Sequence, residues 1–335
     1  MIDFNPASLD TFLREALPGL RGEMNLEQVE GGQSNPTFFV SYENRSVVLR
    51  KQPPLEILPS AHAIDREYRI LTALEKSDVP VPRAIVFHGE RDVVGTPFYI
   101  MERIEGRVIR DSSLSSVPRS ERYEIYLAMG EMMARLHKVD WKAIGLEGYG
   151  RPGNFFERQL ARWTKQWNLS KVRQNPDLDR LIVWLAGNLP MAEETTICHG
   201  DFRLGNLIFH PTEPRVIGVL DWELSTLGHP LADVAFNCIA YHTLPSEYGG
   251  LLGLDLVNLG IPLEQDYLNY YNQLVGRNDG VTAFHFAFAL FRMAVIFEGI
   301  TARARAGNAA AENAATVGNL ALVFSRRALD IVDAS

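Results

Sequence analysis

His199-Gly200-Asp201-Phe202-Arg203-Leu204-Gly205-Asn206 sets an Asp and an Asn five positions apart, and an apolar strand-like run, Leu207 to Phe209, follows at once. Fifteen residues after Asn206 a second apolar run, Val216 to Leu220, ends in Asp221-Trp222-Glu223. Asp and Asn are common turn formers, so any one of these positions alone has a plain structural explanation. The three together, in this order and at this spacing, read as a chemical constellation.

Phosphoryl transfer from ATP asks for few protein groups: a carboxylate that receives or orients the attacking hydroxyl, and oxygen ligands that hold Mg²⁺ against the phosphates. An H-x-D-x-x-x-x-N loop followed by a strand-terminal Asp supplies both. Asp201 is then the expected base, with Asn206 and Asp221 the expected metal ligands.

Working outward, residues 25 to 104 read as short strands around one helix. Phe38 to Tyr42 and Ser46 to Lys51 form a hairpin over Glu43-Asn44-Arg45. Ala61 to Glu75 is the helix, with Ser60 as its N-cap, and Ala84 to His88 and Pro97 to Glu102 return to strand. After Gly106 the texture turns helical, as in Ser120 to Lys138, Asn154 to Asn168, Leu263 to Val275 and Thr282 to Arg303. The expected architecture is α+β and bilobal: a small antiparallel β-rich N-lobe over residues 1–104 and a larger α-helical C-lobe over residues 105–335.

The N-lobe should hold the nucleotide. Gly31-Gly32-Gln33-Ser34-Asn35 is a small-residue turn suited to phosphates, with Gly32, Gln33 and Ser34 the candidate contacts. Strand alternation puts Val48 and Arg50 on one face and Lys51 on the other, so either Arg50 or Lys51 is the phosphate-binding cation, and the alternation favours Arg50. Glu67 lies on the apolar stripe Ile64, Leu71 and Leu74; a carboxylate there needs a cation. The run Tyr99 to Gly106 reads as a buried strand entering a crossover whose backbone can face an adenine ring.

The segments HGDFRLGN, VLDWE, GGQSNPTFFV, VLRKQP and LPSAHAIDREYRIL resemble the aminoglycoside phosphotransferase superfamily of protein-kinase-like small-molecule kinases. The likeness extends over nearly the whole chain. They are similar in particular to the branch comprising the kinase domain fused to acyl-CoA dehydrogenase family members 10 and 11 and its free-standing bacterial homologues. The resemblance implies a protein-kinase-like fold, Asp201 as base, Asn206 and Asp221 on Mg²⁺, and Glu67 paired to the phosphate-binding cation. It also implies adenine contacts from Glu102 C=O and Ile104 N–H, and a structural Asp233 bracing the catalytic loop. Arg50 is a departure, since many family members carry Lys there, and the guanidinium fork binds phosphate differently from an ammonium.

The 335 residues carry 33 Lys plus Arg against 41 Asp plus Glu, a net charge of −8. That field does not draw the chain to nucleic acid or an anionic membrane. The apolar run Phe284 to Ile300 is interrupted by His285, Arg292 and Glu298 and reads as a buried helix. Two cysteines and an N-terminus without a visible signal peptide suggest a cytoplasmic protein.

The expected partner is a small-molecule hydroxyl acceptor. Residues 241 to 280 carry five acids (Glu247, Asp255, Glu264, Asp266, Asp279), which would suit a polycationic aminoglycoside. Arg292, inside an apolar helix, with Arg303 and Arg305 at its end, would instead suit a carboxylate, a phosphate or CoA, unless Glu298 is the internal partner of Arg292. The branch resemblance points to a hydroxyacyl-CoA or hydroxy acid. The rival readings are an aminoglycoside 3'-type phosphotransferase and a nucleotide- or CoA-binding regulator without catalysis.

Overall fold

The computed structural model describes residues 2–29, 35–53, 64–305 and 318–335. The chain forms two compact units. The first is Met1–Arg107 with Lys142–Glu147 and Asn206–Ser225, and the second is Val108–Trp141 with Gly148–Gly205 and Thr226–Ser335.

In the first unit, β1 (Asn25–Gln28), β2 (Thr37–Tyr42), β3 (Arg45–Lys51), β4 (Ala84–His88) and β5 (Phe98–Glu102) form one antiparallel sheet in the order β1-β2-β3-β5-β4. Tyr42 pairs with Arg45, so the β2–β3 turn is Glu43-Asn44 and Arg45 is already strand. One sheet face packs on α1 (Pro6–Ala16). Its N-cap Asn5 accepts the Ala7 amide at 3.0 Å, and Pro6 supplies the pre-set first turn. Leu9, Leu13 and Leu17 meet Phe38, Val40, Leu49 and Ile100, and each such burial contributes about 1.5–3 kcal/mol.

Toward the other face lies α2 (Ile64–Leu74), burying Ile64, Glu67, Ile70, Leu71 and Leu74. The expected helix start at Ala61 and its cap Ser60 lie outside the described residues. The unit also holds a hairpin, β7 (Leu207–Phe209) against β8 (Val216–Val219), which bridges to Arg107 through Phe209.

The second unit is helical: α3 (Arg119–Lys138), α4 (Phe155–Ser170), α5 (Pro176–Gly187), α6 (Pro230–Asn237), α7 (Pro245–Tyr248), α8 (Leu256–Leu259), α9 (Glu264–Val275), α10 (Ala283–Arg305) and α11 (Leu320–Asp333). A short antiparallel pair, β6 (Thr196–Cys198) with β9 (Thr226–Gly228), lies among them. By length and composition α10 could cross a membrane, but 72% of its apolar window is buried inside the protein. Phe288, Leu290, Phe291, Ala294 and Val295 sit in the core shared with α4, α5, α6 and α11.

Candidate active site

Arg50 and Lys51 are neighbours on β3, and the pleat sends them to opposite faces. Lys51, 1% exposed, donates to Asp3 Oδ2 at 2.7 Å and lies 5.1 Å from the centre of the Phe4 ring. Arg50 turns toward α2. Its Nε lies 2.7 Å from Glu67 Oε2, while Nη2 lies 2.6 Å from Asp221 Oδ1 and 3.6 Å from Glu223 Oε2. Of the two candidate cations, Arg50 is therefore the one that meets Glu67.

Glu67 is almost wholly enclosed and also accepts from Asn35 Nδ2 at 2.6 Å and the Tyr99 hydroxyl at 3.0 Å. Burial pushes its carboxyl above the usual range, against the pull of Arg50. Burial alone would lower the Arg50 pKa, but the charges of its neighbours, Glu67 foremost, hold the guanidinium protonated.

The β7–β8 hairpin sets Asn206 and Asp221 at one end, because Asn206 enters β7, Asp221 leaves β8 and the Leu220 amide donates to the Asn206 carbonyl at 2.8 Å. Asp221 has φ 66° and ψ 61°, the left-handed region that a non-glycine residue enters only when its surroundings hold it there. Glu67, Asp221 and Glu223 place three carboxylates around one guanidinium. That excess of negative charge, with the Asn206 amide, fits a hard divalent cation. Among the described residues no cluster of three His, Cys, Asp or Glu could hold a metal by itself. Mg²⁺ usually takes one or two protein oxygens and completes its shell with phosphates and water.

Glu102 closes β5, and its amide donates to the Arg83 carbonyl at 2.9 Å. Just beyond, Ile104 presses on β8: a Cβ added to Gly218 would meet its Cδ1 at 2.9 Å. Gly106 lies so close to β7 that a Cβ there would meet the Phe209 carbonyl oxygen at 2.4 Å. Arg107 and Phe209 exchange backbone hydrogen bonds of 2.8 Å. The crossover is thus fastened to the hairpin that carries Asn206 and Asp221. Gly32, Gln33 and Ser34 lie outside the described residues.

In the second unit the loop around Asp201 is held from three sides. The carboxylate of Asp233, 1% exposed at the start of α6, accepts the His199 amide at 2.5 Å and the Gly200 amide at 2.9 Å. Burial would raise the Asp233 pKa, but the His137 ring, the His199 charge and the Gly200 amide lower it. His199 Nδ1 accepts the Asp201 amide at 3.2 Å, so this histidine orders the loop. Gly200 has φ 86°, which a side chain would strain. Arg292 on α10 donates to the Gly200 carbonyl, with its guanidinium over the rings of Phe236 at 5.1 Å and Trp163 at 5.8 Å. Asp201 itself remains partly exposed and faces Arg203, whose Nε lies 3.2 Å from both carboxylate oxygens.

Beside this loop opens a cavity of about 370 Å³. Tyr126, Met129, Phe236, Ile239 and Met293 give it an apolar wall, while Arg110, Ser112, Arg203 and Tyr248 supply polar groups. Burial raises the pKa of the Tyr248 phenol, with the Arg203 charge working against that rise and the Asp201 charge adding to it.

Arg292, Arg303 and Arg305 do not line this cavity. Arg292 serves the loop backbone, and Arg305 donates to the Val172 carbonyl at 3.0 Å. Glu298 pairs with Arg173 at 2.9 Å, and so is not the partner of Arg292. The five acids of residues 241–280 do not line the cavity either. Glu247 holds Arg327 at 2.7 Å, Glu264 meets His242 at 2.8 Å, Asp279 pairs with Arg277 at 2.9 Å and Asp255 caps α8. Sequence reasoning missed Arg110, Arg203 and Tyr248. Arg203 was visible within the HGDFRLGN motif, whereas Arg110 and Tyr248 carry no local signal.

The antiparallel sheet and the helical unit define the class of the fold as protein-kinase-like. The chain belongs to the phosphotransferase enzyme family, whose profile matches residues 25–267. It is 43% identical over 314 residues to mouse (Mus musculus) acyl-CoA dehydrogenase family member 10, a match covering 92% of this chain and 29% of that protein. The chain thus spans less than a third of that relative. A solved structure of a provisionally named aminoglycoside phosphotransferase from Ralstonia eutropha JMP134 superimposes with TM-score 0.89 at 42% identity, covering 98% of both chains. A thermostable mutant of aminoglycoside phosphotransferase APH(4)-Ia, in ternary complex with AMP-PNP and hygromycin B, shares the fold with TM-score 0.62 at 18% identity, covering 96% of this chain and 98% of that one.

Proposed function

We propose that this chain uses Mg-ATP to phosphorylate a hydroxyl group of a small molecule, a hydroxyacyl-CoA or a hydroxy acid. The observation that carries the reading is Asp201. It is a partly exposed carboxylate on a loop braced by Asp233, His199 and Arg292, beside a cavity large enough for a small acceptor. The AMP-PNP in the APH(4)-Ia complex supports ATP as donor.

In this reading residues 1–104 form the nucleotide-binding lobe and residues 105–335 the catalytic and substrate-binding lobe. Arg50, held by Glu67, binds a phosphate, and Glu102 with Ile104 meets the adenine. Gly32, Gln33 and Ser34 cover the phosphates. Asn206 and Asp221 would hold Mg²⁺, which supplies charge neutralisation at the phosphates when bound. Asp201 orients the acceptor hydroxyl in line and takes its proton as the oxygen–phosphorus bond forms and ADP leaves. Positioning and electrostatics account for most of the acceleration. The buried thiols of Cys198 and Cys238 suit a cytoplasmic setting, and neither nucleic acid nor membrane is among the proposed partners.

The test is Mg-ATP-dependent ADP release over hydroxyacyl-CoAs, free hydroxy acids, amino alcohols and aminoglycosides, with Asp201→Asn as the blank. The expected outcome is turnover of an acyl-CoA or hydroxy acid that falls by about 10²-fold or more in Asp201→Asn while AMP-PNP binding persists. Equal turnover in wild type and Asp201→Asn overturns the assignment. A silent panel with nucleotide still bound favours the regulator.

A further inference from the structure

We infer that the cavity beside Asp201 selects an acceptor bearing an anionic group on an otherwise apolar body, and that Arg110 is the residue that reads the charge. This deepens the phosphotransferase reading above and rests on it for the role of the cavity.

In a chain of net charge −8, this cavity is lined by two arginines and, among the described residues, by no carboxylate. Arg203 is engaged with both oxygens of Asp201. Asn237 is committed too, donating to the Phe202 carbonyl at 2.9 Å and accepting from Tyr267 at 2.6 Å. Arg110 is exposed at the rim and, among the described residues, makes no hydrogen bond or ion pair. Its guanidinium is the surplus positive charge at the mouth of an apolar pocket.

Arg110 is also pre-positioned. The next residue, Asp111, accepts the amides of Ser113 at 2.9 Å and Ser115 at 2.8 Å, closing a turn that fixes this segment at the cavity. Those hydrogen bonds outweigh the cost of partial burial and hold the Asp111 carboxyl down at about 2. Its carboxylate oxygens are taken up by the amides of this turn, and among the described residues no ion pair joins it to Arg110. Tyr126 donates to the Ser112 carbonyl at 2.7 Å and ties the same segment to α3.

A guanidinium over an apolar wall recognises a carboxylate or a phosphate through charge-assisted hydrogen bonds and repels a polyamine. The anionic group is either the carboxylate of a free hydroxy acid or a phosphate of a CoA carrier. The cavity is of a size to enclose the acyl portion of either.

The experiment compares four acceptors on the wild type, Arg110→Ala and Arg110→Lys: a medium-length straight-chain hydroxy carboxylate, its methyl ester, its CoA thioester, and kanamycin. ADP release gives KM and kcat, and calorimetry with each acceptor alone gives Kd without turnover. For the anionic acceptor Arg110→Ala should raise KM and Kd about tenfold or more, the scale of an exposed charge-assisted hydrogen bond, with kcat little changed. Arg110→Lys should restore part of the loss, and the ester should shift less than about twofold on the same scale. An effect confined to the free acid identifies a carboxylate, and one confined to the thioester identifies a phosphate. Equal loss for ester and acid, preference for the ester or kanamycin, or no Arg110-dependent binding of either anion overturns the inference. Arg110-dependent binding without any ADP release sustains it and sinks the phosphotransferase reading instead.

Discussion

The guanidinium of Arg50 meets the carboxylate of Asp221 at 2.6 Å, across 171 positions of sequence. The same side chain holds the buried Glu67. Removing it in Arg50→Ala leaves Glu67 enclosed without its cation, a loss of about 3 kcal/mol or more. Arg50→Lys should recover part of that stability, because an ammonium satisfies one carboxylate but cannot fork between two. Urea denaturation checks the first figure, and AMP-PNP affinity in the Lys variant checks whether the fork is needed for nucleotide. Wild-type stability in Arg50→Ala would show that the triad contributes nothing.

Asp233→Asn should act on the Asp201 loop at a distance. One of the two amides at His199 and Gly200 would face an NH₂ group in place of an oxygen, costing about 1–3 kcal/mol. Hydrogen exchange at His199 and Gly200 should quicken and turnover should fall, with AMP-PNP affinity retained. Unchanged exchange at those amides refutes the brace. The depressed Asp233 pKa contributes stability above its unfolded value, which is lost as pH falls through the folded one.

The buried rings of His229 and His285 give a second, separate pH dependence. Burial foremost lowers them to about 4 and about 3, and His285 Nε2 has no hydrogen-bond partner among the described residues. Between pH 6.5 and those values the unfolded chain binds protons that the folded chain refuses, so stability falls as pH drops. The slope is about 1.4 kcal/mol per pH unit for each ring. Chemical denaturation at pH 7.5, 6 and 5 reads the slope, and His285→Phe should flatten it by about one ring's share.

Gly106→Ala tests the fastening of the crossover. The added methyl would strike the Phe209 carbonyl, a backbone atom that cannot swing aside. The expected cost is about 1–3 kcal/mol, with weakened AMP-PNP binding as the Arg107–Phe209 pairing opens. Calorimetry on the variant decides; unaltered affinity separates the crossover from nucleotide binding.

Much of the fold was legible because its signals are local. The two-residue period of Val48 and Arg50, the apolar runs of β7 and β8, and the helical stripe through Ile64, Glu67, Leu71 and Leu74 each follow from neighbours in the chain. Helices also form at α1, where Leu9 and Leu13 share the buried face, and along α11, two elements that the sequence reading did not name. Acidic spacing was misleading over residues 241–280, because spacing does not tell which carboxylates are already paired.

The sequence by itself set Asp201, Asn206 and Asp221 in one ordered motif, the groups to which the proposed chemistry is assigned, and it put on the buried stripe of α2 a carboxylate, Glu67, that a cation on β3 must answer. Tertiary structure alone decided the allocation of the arginines. Arg292 is drawn to the Gly200 carbonyl and two aromatic faces because a buried guanidinium must find acceptors where the fold offers them. Arg110 is left facing a cavity because its segment is fixed by Asp111 and, among the described residues, no carboxylate lines that wall. Charge is written in the sequence, but its neutralisation depends on which chains of atoms meet, and only packing sets that.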